Sequence, residues 1–349
     1  MVNKKVYIVI LNWNGWKDTI ECLESVFRSD YPNYTVVVCD NASGDHSLDH
    51  IKRWADGKEF AHVSSHSRIA RNTYPYKPKP IPYVEYDRCT AEAGGNGEMD
   101  SPLVLIRTGG NLGFAGGNNV GIRYALARGD FAYIWFLNND TVVEGDALTN
   151  LVGQMTAKKT AGIGGSTILY YHCPDKIQAL GGATYNKSFG TSKHIGTFLE
   201  YKNENLNQQQ VEETMDYVMG ASMIVSRAFI DTVGLMSEAY FLYYEEIDWA
   251  TRGKEWFTLA FSPQSIVYHK EGASIGSASD PKEQSSIADY YIIRNRIVFT
   301  RKYYPRKLVT VYIGIVLALL NRIRRRQWNR IPMIIKIMMD CLRKSQAIP

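Results

Sequence analysis

Apolar and polar positions follow two different rules along this chain. In the first half, short β-branched apolar runs alternate with turn-rich segments and stretches of helical spacing, the sequence sign of βαβ units and a largely parallel sheet. Strands are predicted at Val6–Leu11, Thr35–Cys39, Leu103–Arg107 and Tyr133–Leu137. Ligands of open α/β sheets bind outside the carboxyl ends of the strands. That rule singles out the loops Asn12–Gly15, Asp40–Gly44, Gly109–Asn119 and Asn138–Thr141. Between Phe60 and Ser101 the pattern gives way to a proline-rich stretch and a Gly-Gly-Asn-Gly turn. A connection that long inside a compact domain is functional or disordered, and it reads as an insertion over about residues 60–101.

The second half opens with Gly162–Tyr171 and a Gly- and Tyr-rich region to about Gln210, predicting antiparallel strands and a mixed sheet. From Ser285 a helical run leads through Tyr290, Arg294, Asn295 and Phe299 to two apolar segments, Leu308–Leu320 and Ile331–Met339. Arg301, Lys302, Arg306 and Lys307 precede the first, and Arg322, Arg324, Arg325, Arg326 and Trp328 separate the two. Short apolar segments with basic flanks and aromatic anchors fit helices lying on an anionic membrane surface; a core helix pair or a homo-oligomer contact is the alternative. Neither reaches the ~20 apolar residues of a spanning helix. Lys4 and Lys5 precede an apolar run too short for a secretion signal, so a cytoplasmic chain is expected. The expected organisation is a sheet domain over 1–275 and a helical region over 276–349.

Composition narrows this picture. A chain of 349 residues, 45% apolar and 21% charged, is long enough for one large domain with an appendage. A net charge of +5 argues against a dedicated nucleic-acid binder. The five cysteines, Cys22, Cys39, Cys89, Cys173 and Cys341, show no C-x-x-C pair, which excludes a zinc knuckle or a disulfide framework and points to a reducing compartment.

Candidate chemistry gathers at the predicted strand ends. Asn138-Asn139-Asp140-Thr141 follows an apolar strand, and a hard cation bridging two phosphates needs only one or two protein carboxylates. Asp140 fits that role, and equally an Asx turn. The run Gly109–Asn119 could face an anion with backbone N–H groups, yet Ala115 breaks a G-x-G-x-x-G fingerprint and no Gly-Lys-Ser/Thr follows. Asp40 could receive a base or ribose hydroxyl, or cap the turn near Ser43. Tyr243–Trp249 holds three carboxylates, Glu245, Glu246 and Asp248. One of them could act as general base on an acceptor hydroxyl, with Trp249 or a tyrosine stacked on a sugar; alternatively they are first-turn acids, with Asp248 and Arg252 paired at i,i+4. His269 ends the β-like run Ser265–Tyr268, and a lone histidine there is more often a structural residue than a ligand.

Five stretches, in order over roughly residues 5 to 270, together resemble glycosyltransferase family 2, the inverting GT-A class, and in particular its rhamnosyltransferase-like branch. They are Val9–Gly15, Cys39–Ser43, Asn111–Asn119, Leu137–Asp140 and Tyr244–Asp248. The resemblance implies a GT-A fold, a Rossmann-like mixed sheet flanked by helices, to which the basic-flanked apolar segments add an expected C-terminal membrane-associating appendage. It implies a nucleotide diphosphate sugar donor bordered by Asn12, Asn14, Asp40, Asn41, Asn111, Gly113, Phe114, Gly117, Asn118 and Asn139. Asp140 corresponds to the retained carboxylate of a D-x-D element whose first acid is Asn138 here, and His269 completes the site for a divalent cation, Mg or Mn. The family's base is the Asp of a Glu-Asp pair, replaced here by Glu246, with Asp248 the next acid; Glu245 and Trp249 are placed toward the acceptor. The implied reaction moves a sugar, rhamnose first, to a saccharide or lipid-linked acceptor at the inner face of the cell membrane, in cell-surface polysaccharide synthesis. A non-catalytic nucleotide- or lipid-binding subunit is the alternative from another class.

Overall fold

The computed structural model describes residues 4–97, 100–202, 206–271 and 285–343. In chain order the strands are β1 (Val6–Asn12), β2 (Tyr34–Asp40), β3 (Tyr83–Asp87), β4 (Leu103–Arg107), β5 (Tyr133–Asn138), β6 (Thr141–Val143), β7 (Ala161–Tyr170), β8 (Cys173–Leu180), β9 (Gly182–Asn186), β10 (Thr191–His194), β11 (Tyr217–Val218), β12 (Ser222–Ser226) and β13 (Thr258–His269). The helices are α1 (Trp16–Val26), α2 (Ser47–Ala55), α3 (Ser67–Ala70), α4 (Arg88–Glu92), α5 (Gly113–Arg128), α6 (Ala147–Ala157), α7 (Gln208–Thr214), α8 (Arg227–Val233), α9 (Glu245–Gly253), α10 (Ser286–Tyr303), α11 (Leu308–Arg324) and α12 (Ile331–Arg343).

One mixed sheet organises the molecule, in the order β3-β4-β2-β1-β5-β12-β7-β13-β6 with β8 added to β7. The strands from β3 to β5 are parallel to one another, and β12 runs antiparallel to both of its neighbours. Strands such as β1 and β2 are apolar on both faces because helices cover both faces. One face packs Ile8, Val36 and Trp135 against α1, α2 and α6; the other packs Val9, Val37 and Phe136 against α5, α8 and α9. The mixed sheet and its four predicted strands are thus as the hydrophobic pattern has them.

The stretch from about 60 to 101 is ordered where described. Its strand β3 extends the sheet edge parallel to β4, and Glu85 pairs there with Lys52 and Arg107, charges that blunt an edge. Ile69 inserts among Val142, Leu169, Tyr171 and Tyr268. Lys79 meets buried Glu24 at 3.0 Å while lying over the Trp54 ring. The segment therefore straps α1 and α2 to the far edge of the sheet.

The expected boundary at 275/276 lies outside the described residues. Beyond it, α10 packs directly on the sheet domain, burying Asn295, Ile297, Phe299 and Thr300. Helices α10, α11 and α12 share a cluster of Ile293, Ile297, Val311, Ile315, Ile334 and Ile337, closed by buried Asp289 between Arg322 and Arg330. The opposite face of α11 exposes Val309, Ile313, Val316, Leu317 and Leu320. Among the described residues no helix is long and apolar enough to cross a membrane.

Candidate active site

The carboxyl ends of β1, β2 and β5 are knitted together by short polar side chains. The Asn12 amide donates to Asp40 Oδ1 at 2.7 Å and to Ser43 Oγ at 3.0 Å, while its oxygen accepts from Thr19 at 2.8 Å. The Asn139 amide donates to Thr19 Oγ1 at 3.1 Å and to the Gly15 carbonyl at 3.2 Å. Exposed Asn14 accepts from the Gly44 N–H at 2.7 Å. Buried Asn41 donates to Asn111 Oδ1 at 3.0 Å and to the Gly113 carbonyl, and it accepts from the Leu112 N–H. Asn12, Asn41 and Asn139 are thus buried framework that fixes the loops. Asn14 and Asn111 stand at the exposed rim.

Glycines in the α5 loop answer to packing. Gly113 has φ +70 and lies against the Phe241 carbonyl, and the Phe114 N–H donates to that same oxygen at 2.7 Å. A Cβ on Gly117 would strike Leu11 and press on Asn41. Asn118 is buried and donates to the Phe114 carbonyl one turn back. Gly117 and Asn118 therefore support the loop from inside, and Phe114 is half-buried at its edge.

Asp140 and His269 meet where β6 pairs with β13, with Nε2 to Oδ1 at 3.2 Å and both residues buried. The Gln178 amide oxygen cannot donate, so His269 Nδ1 donates to it at 2.9 Å. The imidazole is thereby oriented with Nε2 facing Asp140. Burial alone would raise the Asp140 carboxyl, but the His269 and Lys270 cations hold it below the usual range; burial lowers His269, and Asp140 more than reverses that. Two ligand atoms about 2.1 Å from one cation at a right angle lie about 3.0 Å apart, so the pair fits a divalent cation that takes its remaining ligands from diphosphate and water. Among the described residues no cluster of three or more such ligands occurs. Asn138 Nδ2 stands 3.4 Å from the same Nε2.

The acidic run takes three different roles. Asp248 is fully buried and accepts from Tyr303 at 2.7 Å, Arg252 at 2.8 Å, and Tyr240 and Lys302 at 2.9 Å. It anchors α9 to α10 and has no face for an acceptor, which corrects its candidacy as a base. Trp249 is also fully buried, donating to the Gly234 carbonyl and packed edge-on to Phe136 and Phe229, so it stacks on protein rather than sugar. Glu245, expected toward the acceptor, is fully buried with neither carboxyl oxygen hydrogen-bonded. Burial, then the neighbouring Glu246, pushes its proton affinity well above the ordinary carboxylate range. Glu246 alone of the three keeps solvent access, with its own proton affinity raised by burial.

Two connections were not legible beforehand. The Gly220 N–H donates to the Glu246 carboxylate, and a Cβ at Gly220 would collide with it. The next carbonyl, of Ala221, accepts from the Asn138 N–H at 3.1 Å, so one turn ties the acid to the strand end beside the Asp140–His269 pair. Gln178, and Asn295 on α10, also escaped sequence reasoning, since each acts across tens of residues and neither lies in a motif.

A family model described as Glycosyl transferase family 2 matches residues 7–72 and 87–233. A low-salt glycan biosynthesis hexosyltransferase, Agl10, of Haloferax volcanii is 27% identical over 149 residues. That match spans 43% of this chain and 45% of the relative, so the chain matches about half of the relative's length. The fold is similar to that of mannosyltransferase PcManGT from Pyrobaculum calidifontis, in complex with GDP-Man and Mn2+, with TM-score 0.53 and 13% identity, covering 99% of this chain and 89% of that one. It is also similar to S. aureus TarS 1-349 in complex with UDP-GlcNAc, with TM-score 0.51 and 15% identity over 99% and 82% of the two chains.

Proposed function

The chain belongs to glycosyl transferase family 2, and from that premise we propose that it is an inverting, cation-assisted glycosyltransferase using a nucleotide diphosphate sugar. The observation that carries the reading is the Gly220–Ala221 turn. It joins a solvent-accessible acid, Glu246, to the strand end beside the Asp140–His269 pair.

Glu246 takes the proton of the acceptor hydroxyl, and its raised proton affinity suits a base working near neutral pH. The acceptor oxygen forms a bond to the anomeric carbon as the bond to the diphosphate oxygen breaks on the opposite side, inverting that centre. Asp140 and His269 would hold the divalent cation, Mg or Mn, which offsets the charge of the departing diphosphate. Asn14, Asp40 and Asn111 border the nucleotide side of the cleft. Rhamnose is the first donor sugar to test, beside the mannose and N-acetylglucosamine donors of the similar structures. The acceptor is a saccharide, free or lipid-linked. The exposed α11 face with its basic neighbours supports a working position on an anionic cytoplasmic leaflet.

The test is nucleoside diphosphate release from dTDP-rhamnose, GDP-mannose and UDP-N-acetylglucosamine, with and without magnesium or manganese. Cation-stimulated release that disappears in both Asp140→Ala and Glu246→Gln is the expected result. Binding of nucleotide without turnover of any donor would favour a non-catalytic subunit instead.

A further inference from the structure

A second aromatic feature stands one strand from His269. Tyr170 ends β7 and is the register partner of His269 on parallel β13. Their successors, Tyr171 and Lys270, both reach Glu21 on the α1 face, so strand alternation puts Tyr170 and His269 together on the other face. On the Tyr170 ring lies Phe198, with centroids 5.2 Å apart and planes within 16°. Phe198 is 61% exposed and has φ +63, a left-handed conformation that bulky side chains avoid. Exposing a phenyl ring and straining its backbone are separate costs, and such doubly unfavourable placement gathers at functional sites. The segment is firmly tied: the Phe198 N–H donates to the Ile177 carbonyl at 2.8 Å, and Thr197 donates to the carbonyl of Gln178, the residue that orients His269.

We propose that the Tyr170–Phe198 stack is the acceptor platform, on which a pyranose ring of the acceptor saccharide lies with its apolar C–H face against Phe198. The inference rests on the glycosyltransferase reading and adds the acceptor's chemistry to it. An aromatic face of this size removes the non-hydroxylated face of a sugar from water without requiring a particular hydroxyl pattern. The nucleobase is not the occupant. Asp40 and the nucleotide rim lie on β2, while the platform lies on β7, with β1, β5 and β12 between them in the sheet.

Phe198 is exposed enough for substitution without loss of the fold, which makes the test direct. With octyl pyranosides of glucose, galactose, mannose, N-acetylglucosamine and rhamnose as probes, Phe198→Trp should show indole quenching beyond that of the unmodified chain with at least one pyranoside, and no such excess with UDP or GDP. For a pyranoside that accelerates nucleoside diphosphate release, Phe198→Ala should raise the acceptor KM roughly tenfold while the donor KM stays in place, and Phe198→Trp should restore it. Excess quenching over the unmodified chain by nucleotide alone, no excess quenching by any pyranoside, or an acceptor KM unmoved by Phe198→Ala overturns the platform. Failure of the unmodified chain to release nucleoside diphosphate overturns the glycosyltransferase reading, a different result from any of these.

Discussion

The Asn295 side-chain amide donates to the Tyr243 carbonyl at 3.0 Å across 52 residues of chain. The same nitrogen reaches the Leu242 and Tyr240 carbonyls at 2.8 and 2.9 Å. Phe241, Tyr243 and Tyr244 all have positive φ, so the loop that delivers the acidic run is strained and is held by a helix from the C-terminal region. Replacing the donor strands three carbonyls. Asn295→Leu is expected to cost about 1–3 kcal/mol in denaturant unfolding and to lower kcat more than it raises the donor KM. Unchanged kcat in a folded variant would separate the clamp from catalysis.

Asp248 makes the second tie between α9 and α10. Burial acts to raise its carboxyl, but Lys302, Tyr303 and Arg252 bring it below the ordinary range. A depressed carboxylate stabilises the fold above its ordinary pKa, near ~3.9, and that contribution is lost as pH falls through the folded value. Asp248→Asn should therefore destabilise by about 3–5 kcal/mol at pH 7, leaving Lys302 and Arg252 without their shared anion. The gap to the unmodified chain should narrow in acid melts, and a gap constant with pH would contradict this assignment.

Glu246 and Glu245 are expected to separate cleanly. Glu246→Gln should lower turnover by about 10²–10⁴-fold with little change in melting temperature. Glu245 has the opposite linkage to Asp248: its raised folded pKa means stability relative to the unfolded chain is full below the ordinary value of ~4.3 and declines as pH rises. Glu245→Gln should therefore melt at higher temperature than the parent at pH 8, with the difference shrinking toward pH 4. A destabilised variant at pH 8 would mean that the carboxylate itself is needed.

Gln178 is a sharper probe of the proposed cation site than Asp140 or His269. Gln178→Leu leaves Asp140 and His269 in place but frees the imidazole to rotate. Half-saturation by manganese is expected to rise about 10–100-fold, read from nucleoside diphosphate release or from binding to the chain alone. Asp140→Asn should abolish the cation response altogether.

The α11 face gives a test that requires no substrate. Leu317→Glu with Leu320→Glu should remove cosedimentation with vesicles containing phosphatidylserine, while replacing Arg324, Arg325 and Arg326 by Gln should weaken it by about 1 kcal/mol per charge near the surface. Loss of dimerisation without loss of vesicle binding would instead assign this face to a second copy of the chain.

The strands β1, β2, β4 and β5 and the loops after them were legible because apolar runs bounded by turn residues are local signals. Strand-end asparagines and aspartates likewise announce a ligand edge before any contact is known. The acidic run shows where that legibility stops. Glu245, Glu246 and Asp248 are equivalent as letters, and the helical period groups Glu245, Asp248, Trp249 and Arg252 on one side of α9. Nothing in the period says which side faces inward. Packing against Phe136, Phe229 and α10 turns that side into the core and leaves Glu246 with partial access to solvent. The exposed apolar face of α11 was visible as a short run between bases, whereas the role of α10 as a clamp was not. A lone asparagine in a helix carries no sign of the three carbonyls it will meet, because they come from a loop that only the folded chain brings to it. The sequence by itself thus determined β1, β2, β4 and β5, their order and the polar residues at their ends, and the tertiary structure decided which of those groups keep water and which become supports.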